Sequence, residues 1–309
     1  VVYRRHTNFS MESIQQTWLG TELTSATGTV PSAGKCEAII SRDGDLINRM
    51  YLELNVTNTA AVANDAADAL YYLNVTTALL DSVELQIGGQ RIDKHSGAWM
   101  ETWAQLTESN PDGTCCTYSD TGGGTLFQKM SGFGGCNDDG TNIFSVNQNP
   151  KFFVPLFFWF CRNPGLALPL IALQYHEVKV ILNHKYNTEH HKFDSNKLWC
   201  DYIYLDTDER RRFAQVSHEY LIEQVQETSL GSNKTITSEN LHFNHPVKEL
   251  VFIRYGDAFG DTTGEMQNIK QSSTTPTLKL VLNGSDRFKE RDYRYFTRTQ
   301  INQHHTGNG

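Results

Sequence analysis

The sequence predicts an all-β protein, a sandwich or jelly roll, and three observations carry that expectation. Short runs rich in Val, Ile, Leu, Tyr and Phe recur along the 309 residues. Turn clusters such as Gly88-Gly89, Asn163-Pro164-Gly165 and Asn283-Gly284 separate them. Many of the runs alternate apolar and polar residues with the period of two expected of a half-buried strand.

In chain order, the strand candidates begin with RMYLELNV at 49–56 and DSVELQI at 81–87. A short amphipathic helix is expected at 96–107, SGAWMETWAQLT, where Trp99 and Trp103 share a face at i and i+4. Residues 110–149 are rich in Gly, Ser, Thr, Asn and Asp, and carry neither GxxxxGK[ST] nor GxGxxG before a helix. They read as an exposed insertion loop.

The most apolar run, FFVPLFFWFCRNPGLALPLIAL, is broken by Arg162, Asn163 and three prolines. A membrane-spanning helix needs ~20 uninterrupted apolar residues. The run is therefore expected to form two buried strands joined by a turn at Asn163-Pro164-Gly165. Strands follow at 173–182 (LQYHEVKVIL) and 197–205 (KLWCDYIYL). DTDERRRFAQ at 206–215 reads as a charged helix, with Asp206 and Glu209 at capping-box spacing. It falls between two strand-rich halves and is the candidate linker. KELVFIRY at 248–255 and TLKLVLN at 277–283 are the strand candidates of the second half.

The two halves echo each other. Residues 81–90 are a strand and a Gly turn, followed by the aromatic WMETW. Residues 278–287 repeat the plan, with YRYF in the corresponding place. Two copies of one strand plan imply tandem domains of one kind. Far less chain follows the second turn than the first, so the second domain is expected to lack its closing strands and the complete protein to continue past Gly309. The first residue is Val, so trimming is also expected at the start. The opening VVYRRHTNFS is charged and polar where a secretory signal would be apolar.

Bulk composition narrows the function classes. With 39% hydrophobic and 11% aromatic residues the chain can build a real core. A net charge of −8 argues against direct nucleic-acid binding, which needs a basic surface to displace phosphate counterions. The six cysteines, Cys36, Cys115, Cys116, Cys136, Cys161 and Cys200, form no CxxC pair and read as scattered thiols.

One stretch has the letters of an active site. YHEVKVILNHKYNTEHHKF, residues 175–193, holds four of the eleven histidines. On one straight strand His176 and His184 would share a face ~26 Å apart, too far to ligate one metal. HEVK lacks the second histidine of HExxH. His190 and His191 fall in a polar turn. No catalytic, cofactor or metal residue is assigned. His242 and His245 are one residue too far apart to face the same way on a strand, which leaves a cupin-like metal enzyme as the enzymatic alternative. A carbohydrate-binding lectin is the other alternative, but Trp99, Trp103, Trp159 and Trp199 sit in apolar contexts that favour core packing. Five Asn-x-Ser/Thr sequons begin at Asn8, Asn55, Asn74, Asn233 and Asn283. Asn233 and Asn283 lie in turn-like segments and are the glycosylation candidates.

Six blocks together carry a resemblance. They are RRHTNFSMESIQQTW, VELQIGGQRIDKHSGAWMETWAQL, LPLIALQYHEVKV, YLDTDERRRFAQVSHEYLIEQVQ, NHPVKELVF and LNGSDRFKERDYRYF with the later QHH. In this order they resemble the major capsid proteins of large nucleocytoplasmic DNA viruses, the algal-virus and iridovirus group. The 110–149 loop has no counterpart in that pattern. The resemblance implies a double jelly roll: a first domain at 1–206, a linker helix at 207–217, and the start of a second domain at 218–309. It also implies a non-enzymatic subunit forming homotrimeric, pseudo-hexagonal capsomers in an icosahedral shell. The implied partners are neighbouring capsomers, minor capsid and penton proteins, and an internal membrane beneath the shell. Assembly in a cytoplasmic virus factory is part of the same expectation.

Overall fold

The computed structural model describes residues 8–20, 32–58, 79–109, 125–133, 151–187, 191–229, 240–253 and 277–307. Ten strands carry the first two thirds of the chain. They are β1 (Phe9–Gln16), β2 (Trp18–Gly20), β3 (Ser32–Ile39), β4 (Leu46–Asn58), β5 (Leu80–Ile87), β6 (Gln90–Ser96), β7 (Lys151–Pro155), β8 (Leu168–Pro169), β9 (Val178–Asn187) and β10 (His191–Leu205). All pairings are antiparallel.

The strand order defines two sheets. One runs β1-β10-β4-β7, with the short β8 also on β4; the other runs β3-β9-β5-β6, with β2 on the outer edge of β3. The sheets join through the β9–β10 pair Asn187 and Lys192. Strands distant in sequence thus lie side by side in two facing four-stranded sheets. That is the jelly-roll arrangement, and the all-β class read from the sequence holds.

Alternation fills the space between the sheets. Leu52 and Leu54 of β4, Phe152 and Val154 of β7, and Leu198, Cys200 and Tyr202 of β10 face Val83 and Leu85 of β5 and Val180 and Leu182 of β9. All are fully buried. Each such side chain removed from water contributes roughly 1.5–3 kcal/mol.

Helix α1 (Gly97–Thr107) follows β6 directly. Ser96 caps it by accepting from the Trp99 N–H at 3.0 Å, and Met100 and Ala104 reach the core. Helix α2 (Leu126–Ser131) begins with a reciprocal capping box between Thr125 and Gln128 and ends on Gly132 in the left-handed region.

Three expectations are corrected here. The apolar run after β7 is not a second strand. Phe158, Trp159 and Phe160 are all buried, and three consecutive inward side chains cannot sit on a pleated strand, whose neighbours alternate. The chain instead makes a helical turn, α3 (Trp159–Arg162), and a 3₁₀ turn at Pro164–Leu166 stabilised by the Asn163 side chain. Secondly, β9 starts at Val178 rather than near 173. Arg42 donates to the carbonyls of Leu173 (2.8 Å), Gln174 and His176 (3.2 Å), and so holds that segment as a turn. Thirdly, residues 248–253 are not in a strand.

Helix α4 (Thr207–Gln215) stands where the charged helix was expected. Asp206 caps it, accepting from the Glu209 N–H at 3.0 Å. Arg210 fastens it with two 3.0 Å contacts to the Asp45 carboxylate, and Phe213 packs on Leu46, Ala167 and Ile203. The second half then forms two small pairs: β11 (Thr277–Leu278) with β14 (Arg291–Asp292), and β12 (Val281–Leu282) with β13 (Ser285–Asp286).

The echo between the halves survives in backbone geometry. The β5–β6 turn has φ of 60° and 80° at Gly88 and Gly89; the β12–β13 turn has 51° and 77° at Asn283 and Gly284. Both are two-residue hairpin turns with two positive φ angles, the primed geometry that suits twisted strands. Both are followed by aromatic helical turns, α1 in the first half and Tyr295–Gln300, continuing into α5 (Ile301–His304), in the second.

Candidate functional site

Among the described residues no group of three or more His, Cys, Asp or Glu side chains is placed to hold a metal ion, and no helix is long and apolar enough to cross a membrane. The histidine-rich stretch is divided by the fold. His176 lies in the turn before β9, with its ring beside Gly88. His184 is inside, 2% exposed, against Gly34 of β3. Burial holds the His184 imidazole below its usual pKa. His190 lies outside the described residues. His242 and His245 are exposed in irregular backbone, not in a strand, and His245 has a φ of 68°. Asn233 lies outside the described residues, whereas Asn283 is exposed at the tip of its hairpin. Asn55 is occupied within β4, donating to Ser195 Oγ at 2.6 Å.

Cys36, Cys161 and Cys200 carry free thiols. Burial pushes Cys36 and Cys161 up to about 12 and Cys200 well above its ordinary value. They are neutral at physiological pH, and a neutral thiol is a poor nucleophile.

The organised polar chemistry lies at two surfaces instead. The first joins the two halves of the chain. Asp93 and His95 are two apart on β6 and point the same way, each side chain 1% exposed. Their Oδ2 and Nε2 atoms are 2.8 Å apart, an ion-pair distance that lacks the alignment of a linear hydrogen bond. The other oxygen of Asp93 accepts the Val225 N–H at 3.0 Å. Gln224 donates to the Ile92 carbonyl beside it, and Gln226 and Asn244 bond reciprocally. Residues 223–226 thus form a strap along β6, the end strand of its sheet, whose free edge would otherwise be a template for pairing.

Arg162 reinforces the strap. Its guanidinium lies over Trp103, 4.2 Å from the ring centre, and meets Glu223 at 2.6 Å. Lys248 bonds the other Glu223 oxygen. His305 meets Trp103 edge-on and contacts Glu249 at 2.5 Å. Thr306 and Gly307 donate to the Thr107 and Leu106 carbonyls, two of the orphan acceptors at the end of α1.

The second surface is the outer face of the β1-β10-β4-β7 sheet. Trp199 stacks beside Tyr51 with ring centres 6.2 Å apart and planes at 8°, and Phe153 tilts against Tyr51 at 6.2 Å. Beneath them Glu53, its side chain 7% exposed, accepts from Trp199 Nε1 at 2.8 Å and Lys151 at 2.5 Å, with Lys197 at 3.9 Å. The Lys151 bond leads the causes that hold this carboxyl below its usual pKa. Glu53 is screened by these long side chains on the sheet surface rather than sunk between the sheets.

Trp199 therefore corrects the core assignment made from its neighbours. Leu198, Cys200 and Tyr202 point inward, so the odd-numbered Trp199 points out. Parity along 197–205 was the signal. Trp159 is in the core, 3% exposed, while Trp99 and Trp103 are half-buried and stack at 5.5 Å.

Comparison with known proteins decides the family. Residues 1–206 match the family described as "Major capsid protein N-terminus", and residues 209–308 match "Large eukaryotic DNA virus major capsid protein". The chain belongs to the major capsid proteins of large eukaryotic DNA viruses. It is 46% identical over 311 residues to the major capsid protein of Pyramimonas orientalis virus, covering 99% of this chain and 69% of that one. It is 36% identical to that of Paramecium bursaria Chlorella virus 1, covering 97% of this chain and 71% of the relative. Among solved structures, PBCV-1 VP54, fitted into a reconstruction of the virophage Sputnik, superimposes with a TM-score of 0.69 at 31% identity, covering 99% of this chain and 77% of the other. The quasi-atomic model of the PBCV-1 capsid gives 0.67 at 33%, covering 98% and 76%. This capsid protein thus carries one organised polar network between the two halves of the chain and the other on the outer face of a sheet.

Proposed function

We propose that this capsid protein is a non-catalytic shell subunit, three copies of which form a pseudo-hexagonal capsomer of an icosahedral capsid. The observation that carries the reading is the ordered match of both family halves on a chain whose first half is an eight-stranded jelly roll. A rigid sandwich with tied loops supplies the fixed side surfaces that symmetric assembly requires. On this reading 1–206 is the first jelly roll, 207–217 the linker helix, and 218–309 the opening part of the second. Partners are neighbouring capsomers, minor capsid and penton proteins, with an internal membrane below, and assembly takes place in a cytoplasmic virus factory. Asn283, exposed on a hairpin tip, and Asn233 are the proposed glycan acceptors.

Size-exclusion chromatography with light scattering tests the core of the proposal. The full-length protein is expected to run as a stable trimer, and a monomer at micromolar concentration overturns the reading.

A further inference from the structure

The seam between the jelly roll and the second half of the chain is a row of charges that do not balance. Asp93, Glu223 and Glu249 bring three carboxylates, and Arg162 and Lys248 bring two permanent cations. The Lys248 side chain is 77% exposed, so its charge is the most screened of the five. Asp93, at 1%, is the most deeply buried. A carboxylate short of cations in such a place is costly. Two imidazoles stand where a proton would restore the balance: His95 lies 2.8 Å from Asp93, and His305 lies 2.5 Å from Glu249.

Each ring has defined surroundings. His95 pairs with Val83 across the β5–β6 ladder and stacks on Phe158 at 4.9 Å. Lys94 of the same strand is engaged elsewhere, by Glu84 at 3.6 Å. Arg162 is close enough to Asp93 and Glu223 for both to act on its charge. His305 meets Trp103 of α1, and Arg162 lies over the same indole. Helix α1 also brings Glu101, buried and accepting from Gln105 at 3.1 Å, and Glu108 at its C-terminal end.

Both histidines sit beside bonds that hold the halves together. Asp93 accepts the Val225 N–H with its other oxygen, and Thr306 and Gly307, just after His305, donate to α1. At 2.8 Å two lone pairs would repel, so His95 Nε2 carries a hydrogen and the next proton taken up goes to Nδ1.

We propose that this seam is a proton-operated latch: charging of His95 and His305 tightens the hold of β6 and α1 on residues 223–226 and 305–307. Each imidazole–carboxylate contact then gains the strength of a charge-assisted bond over a neutral one. A shell subunit with this latch holds its two halves more firmly in mild acid than in neutral or alkaline surroundings. The latch lies within one chain, so it stands independently of the trimer.

Hydrogen exchange of the full-length protein, read by mass spectrometry, tests the latch. Rates for peptides spanning 223–226 are corrected for the intrinsic pH dependence of exchange and referred to amides of β10. Between pH about 8 and about 5.5, where histidine ordinarily changes charge, protection of the strap is expected to rise roughly five- to tenfold. His95→Gln and His305→Gln should each remove part of the rise and together abolish it. His184→Gln, in the sandwich core, should leave it unchanged. If His95→Gln does not fold, Glu249→Gln joins His305→Gln at the outer end of the seam, and each must still reduce the rise. Protection that stays flat or falls with acid overturns the latch. So does a rise that survives these substitutions, or one that His184→Gln removes.

Discussion

The guanidinium of Arg162 lies over the indole of Trp103, 4.2 Å from its centre. The same group meets Glu223 at 2.6 Å, so one side chain ties the jelly roll to the strap. A lysine keeps the charge and loses both the planar group over the ring and the forked geometry. Arg162→Lys is expected to lower stability by about 1–2 kcal/mol in denaturant unfolding. It should also expose the strap to limited proteolysis first. Unchanged unfolding and an unchanged cleavage pattern would remove Arg162 from this role.

Gly34 is required by His184. A Cβ at Gly34 would lie 2.3 Å from His184 Cε1. Gly34→Ala is expected to cost about 1–3 kcal/mol, the range for overpacking a filled core. His184→Ala in the same chain should recover part of that loss. A Gly34→Ala protein as stable as the parent shows that the imidazole can turn aside.

Acid is expected to loosen the sandwich in two steps. Burial lowers the folded pKa of His184 below its ordinary 6.5, so the unfolded chain binds the proton more readily. Stability is complete above that value and falls as pH drops below it. Glu53 acts at lower pH. Its folded pKa lies below the ordinary 4.5, so its stabilisation is present above that value and disappears as the carboxyl protonates. Denaturation midpoints between neutral pH and pH near 3 check both. His184→Gln should flatten the upper step alone and Glu53→Gln the lower; a single step untouched by either substitution contradicts the assignment.

Asn283 should carry a glycan in virion-derived protein. Peptide mass mapping is expected to show a saccharide on the fragment containing 283–285, absent in Asn283→Gln. An unmodified peptide at full occupancy rejects the site.

Strand alternation made much of the sandwich legible. The runs at 49–56, 81–87 and 197–205 all lie inside observed strands. β1 and β3 escaped because few large apolar residues mark them as strands. FSMESIQQ is exposed along most of its length, and SAGKCEAI is low in β-branched residues, so neighbours rather than propensity hold it straight. Helix α2 escaped although Thr125 and Gln128 stand at capping-box spacing, because the surrounding Gly and Asn read as loop. The turn at α3 was hidden by its own hydrophobicity, since a fully apolar run has no period to read.

The two surfaces were less legible than the fold. Asp93 meets Val225, and Arg162 meets Glu223, across long stretches of chain. No local spacing encodes such pairings. Trp199 was within reach, through its parity against Leu198 and Cys200.

The central place of β10 governs how the sandwich is made. It is bonded to β4 on one side and to β1 on the other. A ribosome synthesising this chain has therefore released β1 and β4 before their common partner exists. Until residue 205 has cleared the exit tunnel, the inward faces of β4 and β7 have no finished sheet to complete. Such sequence-distant pairing slows folding and leaves nascent chains open to association. During bulk production of shell protein, the vulnerable interval falls before this strand is made.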